Sequence, residues 1–242
     1  MQRSMVTLDL SGARRFVWIA SLLILSLGAM HALLVGFAGM DPLDKGMKYL
    51  NLDAERTIIS YYSASLMLVA ALASLGVGLQ GFHSGSRVAF YWLLLAVMMA
   101  YMSLDETVSL HENTSPSLRS AGVTPGFLDY SPWVLIGVPV VIAVGLFFIR
   151  FLLMIDRRIA ARLFLAGVLF VGGSLVVEIL ASLLMSREAS EGLYRLTTIF
   201  EEGGEILGIT LFTTTVLSCL RISILAADGH EDALTLRGHP AE

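Results

Sequence analysis

The chain has 242 residues, of which 56% are hydrophobic and 15% charged, and its mean hydropathy is +0.76. These values differ from those of soluble domains and indicate a membrane protein. The net charge of −4 comes without a basic stripe, so nothing suggests nucleic-acid binding. The single cysteine, Cys219, excludes an intramolecular disulfide framework and a cysteine-based zinc site.

The apolar runs predict an all-α fold with six transmembrane helices, because each run reaches the roughly 20 residues that a helix needs to cross a bilayer. The predicted spans lie near residues 15–39, 58–80, 87–104, 132–154, 160–185 and 197–224. Short connections favour one bundle over residues 1–225, followed by a flexible cytoplasmic tail at 226–242.

The distribution of positive charge predicts that both termini are cytoplasmic. Assigning alternate loops to opposite sides puts ten of the 16 Lys and Arg residues on the side of the termini. Cytoplasmic loops carry the excess of positive charge. Aromatic residues near the span ends, including Trp18 and Trp133, are typical of the interfacial belts of membrane proteins.

With this topology, the ionisable residues of several spans fall at one depth, towards the outer face. His31 lies late in the first span and Tyr62 early in the second, and Glu178 lies in the outer half of the fifth. The third span ends in "YMSLDETVSLHE" and the sixth opens with "FEEGGEILG". These two segments supply Asp105, Glu106, His111, Glu112, Glu201, Glu202 and Glu205.

Helical periodicity indicates which of these side chains share a face. Asp105 and Glu112 are seven residues apart, so on a regular helix they differ by about 20°. His111 would lie about 100° from Glu112, at the edge of the same site. The carboxylates of the sixth span occupy an arc of about 100°. Charges facing lipid are costly, which predicts that these faces turn inward.

Several candidates also have a structural interpretation, whereas Asp105 is harder to explain in this way. Glu201 and Glu202 could simply complement the helix dipole, and His111 and Glu112 could anchor the chain at the headgroups. His31 could be a hydrogen-bonded core histidine, and Glu178 a neutral carboxylic acid bonded to a neighbouring helix. Gly204 and Gly208 have the G-x-x-x-G spacing that is typical of helix packing.

Close carboxylates repel one another unless cations or protons intervene, and positive side chains are scarce at this depth. The leading hypothesis is therefore one or two divalent metal ions, iron or manganese favoured and calcium possible. Inward-facing acidic and imidazole ligands hold metals in di-iron bundles, although the usual Glu-x-x-His motif is missing. The expected ligands are Asp105, His111, Glu112, Glu178, Glu202 and Glu205, with Glu106, Glu201, His31 and Tyr62 as further candidates.

Three functions stay open. Iron with an open coordination position would permit oxidoreductase chemistry on a lipid-soluble substrate, but the sequence identifies neither the substrate nor the reaction. A proton-coupled transporter would use protons in place of the metal, with Glu178 titrating during the cycle. An accessory structural subunit would pack its glycine-rich faces into a larger membrane complex or a homo-oligomer.

Three segments together resemble a group of uncharacterised bacterial multi-pass membrane proteins. They are "NLDAERTIISYYSASLMLVAA", "SLDETVSLHE" and "FEEGGEILG", which carry an extended segment before a helix, an S-x-D-E-x-x-x-x-H-E motif and an E-E-x-x-E-x-x-G motif. The resemblance implies a bacterial inner membrane and a shared acidic site near the periplasmic face. It adds Asp53 and Glu55 to the candidates and implies no activity.

Overall fold

The computed structural model describes residues 5–44, 46–221 and 223–225, so the predicted flexible tail at 226–242 lies outside the described residues. The helices are α1 (Ser11–Ala38), α2 (Ile58–His83), α3 (Ala89–Val108), α4 (Ser115–Ser120), α5 (Val134–Met154), α6 (Arg157–Val171), α7 (Glu178–Met185) and α8 (Glu191–Cys219). A π-helical segment, Gly172–Val177, joins α6 to α7 in one continuous rod. Two short strands, β1 (Met5–Thr7) and β2 (Ser223–Leu225), pair antiparallel.

Five helical rods are long and apolar enough to cross a membrane, which confirms the prediction of a multi-pass membrane protein. They are α1, α2, α3, α5 and the rod from Arg157 to Met185. The predicted sixth span corresponds to α8, which has 29 residues but carries four glutamates in its first half. Its length suffices for a crossing, whereas its composition is less apolar.

Local sequence explains where several rods begin and end. Thr57 starts α2 with a capping box, in which its side chain accepts from the backbone N–H of Ser60 and the Ser60 hydroxyl accepts from that of Thr57. Asp156 and Ser190 cap α6 and α8 in the same general way, through side-chain oxygens. Gly39, at φ 69°, ends α1 in the left-handed conformation that glycine adopts easily.

Helix α8 lies at the centre of the bundle and packs against α1, α2, α6 and α7. The main core forms between α2, α3, α5, α6 and α8. Its buried members include Met67, Trp92, Phe151, Leu163 and Val216. The exposed faces of the rods carry large apolar side chains, as a lipid-facing surface requires.

Glycines bring α8 into backbone contact with the rod formed by α6 and the π segment. A Cβ atom on Gly208 would lie 2.7 Å from the Phe170 nitrogen and 2.8 Å from the Ala166 oxygen. A Cβ atom on Gly204 would lie 2.9 Å from the Leu169 oxygen. The G-x-x-x-G spacing therefore serves helix packing, as predicted.

The pairing of β1 with β2 places the beginning of α1 and the end of α8 at the same end of the bundle. We call this the terminal end. At the opposite end, which we call the site end, α1, α3 and α7 finish and α2, α5 and α8 begin. The predicted acidic residues lie in the half of the bundle nearer the site end. Glu201, Glu202 and Glu205 do not open α8 as predicted, because the helix begins at Glu191, more than two turns earlier, so they do not complement its N-terminal dipole.

Candidate functional site

Helix α3 ends before it reaches His111 and Glu112, and this changes the geometry of its acidic segment. The last helical residue is Val108, and Ser109 adopts a positive φ of 52°. The prediction that Asp105 and Glu112 share one helical face is therefore wrong. Glu112 begins a separate 3₁₀ turn, Glu112–Thr114, and is exposed.

The turn at Ser109 folds His111 back onto Asp105. The His111 backbone N–H donates to Asp105 Oδ1 at 2.9 Å, and the ring Nδ1 lies 2.6 Å from Oδ2. Each carboxylate oxygen of Asp105 is thus in contact with one nitrogen of His111, and together the two contacts fix the orientation of the imidazole ring. The structure thus brings His111 into the site through Asp105.

Trp133 connects this pair to Glu178. Its ring packs edge-on against His111, with 4.7 Å between the ring centroids. Its indole Nε1 donates to Glu178 Oε1 at 2.7 Å. A continuous row of contacts therefore runs from α3 through the start of α5 to α7, and we call it the contact row. Its members are Asp105, His111, Trp133 and Glu178. The sequence pattern indicated only an interfacial role for Trp133.

The π-helical segment positions Glu178. This wider turn ends at Val177, so it resets the side-chain register immediately before the glutamate. The segment packs closely on α8, because a Cβ atom on Gly173 would collide with the backbone oxygen of Glu201. Glu178 and the α8 carboxylates therefore face a common region, and Glu178 lies within charge–charge range of Glu201 and Glu205.

Four glutamates form a second group, which we call the acidic cluster. It consists of Glu106 of α3 and Glu201, Glu202 and Glu205 of α8. Glu205 lies within charge–charge range of the other three, and all four side chains are partly buried. Among the described residues, no Lys, Arg or His forms an ion pair with them, and no protein group donates a hydrogen bond to them.

The described part of the chain contains no ready-made metal centre. Nowhere in it do three His, Cys, Asp or Glu side chains meet closely enough to hold a metal ion. Several of the predicted ligands are engaged elsewhere, since Asp105 binds His111 and Glu178 binds Trp133. Asp105, His111 and Glu178 therefore lie beside the acidic cluster without joining it in one ligand set.

The loop before α2 places Asp53 and Glu55 at the site end. Asp53 accepts from the Tyr194 hydroxyl at 2.7 Å and from Arg195 Nη1 at 2.9 Å. Arg195 is buried and also bonds Glu191, so its charge is already balanced. Glu55 lies within charge–charge range of the 105–112 segment. The loop thus closes over α8 through Asp53.

His31 and Tyr62 lie apart from these groups. His31 is fully buried in α1, and neither ring nitrogen makes a hydrogen bond in the region that the structure covers. The hydroxyl of Tyr62 lies 2.6 Å from Ser21 Oγ, which in turn lies 2.6 Å from Thr210 Oγ1. Tyr62 therefore belongs to a hydroxyl network inside the α1, α2 and α8 packing.

The contact row predicts that His111 contributes to the stability of the fold in a pH-dependent way. Burial opposes protonation of His111, but the hydrogen bond and charge of Asp105, with the charges of Glu112 and Glu178, outweigh it and raise its pKa above 6.5. A raised folded-state pKa stabilises the protein fully below the unfolded value and ceases to do so as pH rises through the folded value. We therefore expect the stabilisation by His111 to be present at about pH 6 and lost in alkaline solution.

Thermal unfolding in detergent, compared between wild type and His111→Gln across this pH range, measures the effect. The difference in melting temperature between the two proteins should shrink as pH rises. Because glutamine does not titrate, a difference that stays constant with pH would contradict the charged His111–Asp105 pair.

Comparison with known proteins identifies one family. A family profile described as "Domain of unknown function (DUF8692)" matches residues 15–220, which include the whole site end and all six long rods except the first four residues of α1. No curated protein and no solved structure matches the chain.

Proposed function

The chain belongs to the DUF8692 family, whose description assigns no function, and we propose that it binds a divalent metal ion within the membrane through its acidic cluster. The carrying observation is the excess of buried negative charge in this cluster. Glu106, Glu202 and Glu205 come together from two helices without any described positive partner. Uncompensated buried carboxylates are expensive, and a divalent cation would balance two of them.

Metal binding requires the carboxylates of the acidic cluster to move closer together. Its oxygens do not yet meet in one ligand group, so Glu106, Glu202 and Glu205 must change rotamer to bind an ion together. Glutamate has three rotatable side-chain bonds, so its carboxylate can take several positions by moving between staggered rotamers. Oxygen-only ligation suits manganese, iron or calcium better than zinc. Iron would supply oxidation chemistry for a lipid-soluble substrate arriving from the bilayer.

The proposed topology has six spans and cytoplasmic termini. Five rods are apolar enough to cross, and the β1–β2 pair brings the beginning of α1 and the end of α8 to one end of the bundle. Because β1 and β2 pair, they must lie on the same side of the membrane, which requires an even number of crossings. This supports α8 as the sixth span. The positive-inside bias then makes the terminal end cytoplasmic and the site end periplasmic. A bacterial inner membrane is the corresponding location.

A second candidate function, proton-coupled transport, draws support from the hydroxyl network. Ser21 is hydrogen-bonded to both Tyr62 and Thr210. Further along α8 towards the terminal end, Thr213 and Thr214 are buried, and their hydroxyls donate to backbone oxygens of the helix. Hydroxyl groups can relay protons when they are linked by hydrogen bonds or water. In this case protons would neutralise the acidic cluster in place of a metal.

Elemental analysis of protein purified without chelators tests the metal proposal. We expect wild type to retain stoichiometric manganese, iron or calcium, and the double variant Glu202→Gln, Glu205→Gln to lose it. Glu188→Gln is the matched control, because Glu188 is an exposed residue of the loop between α7 and α8. It should retain the metal.

Wild-type protein that stays metal-free even after incubation with Mn²⁺ or Fe²⁺ would contradict the proposal. In that case, proton uptake by reconstituted vesicles that is abolished by Glu205→Gln would favour the transporter. Metal-free protein that copurifies stably with other membrane proteins would favour the accessory subunit.

A further inference from the structure

A second candidate site lies at the terminal end of the bundle, on the opposite side from the acidic cluster. It is a groove of about 630 Å³ between α1, α6 and α8. Its lining residues are Ser11, Arg14, Arg15, Trp18, Ile19, Arg162, Leu211, Thr214 and Thr215. Three arginines from two helices therefore line one groove, with hydroxyl groups from α1 and α8 beside them.

The positive charge of this groove is not balanced by the part of the chain that the structure describes. None of the three arginines forms an ion pair there, and Arg14 Nε is buried without a hydrogen-bond partner. Asp9 is the acidic group near Arg14 and Arg15, but it is exposed and accepts bonds from the backbone and hydroxyl of Ser11. A buried, unpaired guanidinium nitrogen is costly, so the groove favours an anionic ligand.

We propose that this groove binds the phosphate group of an anionic phospholipid in the surrounding leaflet. Arginine is well suited to phosphate, because its planar fork donates two parallel hydrogen bonds. The hydroxyls of Ser11, Thr214 and Thr215 donate to Asp9 and to backbone oxygens of α8, so the arginines are the groups of the groove that can donate to a phosphate. Basic pockets between transmembrane helices on the cytoplasmic side bind anionic lipid headgroups in this way.

The apolar part of the groove supports a lipid over a soluble phosphate compound. Trp18, Ile19 and Leu211 line it together with the arginines. Ile19, Leu22 and Leu23 are exposed and share one face of α1, so the apolar surface continues from the groove into the membrane region. An acyl chain can follow this face while its phosphate contacts Arg14, Arg15 and Arg162. A free phosphate ion would contact only the polar residues of the groove and leave its apolar residues without a ligand.

Native mass spectrometry of the full chain, released from mixed phosphatidylglycerol and phosphatidylcholine micelles, tests the proposal. Wild type should retain phosphatidylglycerol in preference to phosphatidylcholine. The variant Arg14→Gln, Arg162→Gln should bind phosphatidylglycerol at least about tenfold more weakly, since each arginine near a charged lipid surface contributes appreciably. Arg87→Gln, which alters an exposed arginine between α2 and α3, should behave as wild type.

Two further arms separate the possible sources of phosphate and exclude misfolding. Inorganic phosphate at millimolar concentration should not displace phosphatidylglycerol, and displacement by it would show a soluble-phosphate site instead. The double variant should keep the wild-type helix content by circular dichroism. Equal phosphatidylglycerol retention by wild type and by the folded double variant would overturn the proposal.

Discussion

Replacing Gly208 with alanine should destabilise the bundle by about 1 to 3 kcal/mol, because the added methyl group overpacks a backbone contact. The new Cβ would lie 2.7 Å from the Phe170 nitrogen and 2.8 Å from the Ala166 oxygen. Both are backbone atoms, so α6 and α8 must separate to admit the methyl group. Unfolding of detergent-solubilised protein by SDS titration measures the change in free energy.

The matched control is Gly167→Ala, one residue after Ala166 on α6. Nothing lies within 4 Å of a Cβ atom on Gly167. Alanine favours a helix over glycine by about 1 kcal/mol, so this change should leave stability unchanged or raise it. The two substitutions are chemically identical and differ only in their surroundings. If both variants lost stability equally, the close approach of α6 and α8 would be refuted.

Replacing Trp133 with phenylalanine should cost about 1 to 3 kcal/mol, because it removes the indole N–H that donates to Oε1 of the partly buried Glu178 carboxyl. Phenylalanine keeps an aromatic ring beside His111 but carries no N–H. The Glu178 carboxyl would remain partly buried with that oxygen unsatisfied. The same unfolding measurement applies, with Trp18→Phe as control, since Trp18 makes no hydrogen bond among the described residues.

A double-mutant cycle sharpens this prediction. Removing both partners of a buried hydrogen bond costs less than removing one, because no polar group is left unsatisfied. Trp133→Phe combined with Glu178→Leu should therefore be more stable than the sum of the single effects implies. Strict additivity would mean that Trp133 contributes packing alone and that the bond to Glu178 carries no energy.

The helical rods could be predicted from the sequence because lipid imposes a simple requirement on length and composition. The predicted span 58–80 corresponds to α2 at Ile58–His83, and 132–154 corresponds to α5 at Val134–Met154. The G-x-x-x-G spacing also indicated a real packing contact at Gly204 and Gly208. These features depend on local pattern, which one sequence contains in full.

The site was less predictable because its geometry depends on local departures from regular helix. A serine rarely adopts positive φ, so no residue type signalled that α3 ends at Ser109. That turn moved Glu112 out of the expected face and brought His111 onto Asp105. The π-helical turn before Glu178 has no sequence signature either. Trp133, placed at a span boundary, was indistinguishable from an ordinary interfacial anchor.

The central position of α8 has a consequence for biosynthesis. Helix α1 packs mainly against α8 and touches α2 little, although α2 follows it in the chain. During translation, α1 therefore enters the bilayer first and finds its main partner last. Until α8 is inserted, the groove at Gly36, which receives Gly192 and Arg195, stays open to lipid or to a membrane chaperone. The bundle is therefore complete only when α8 packs against α1.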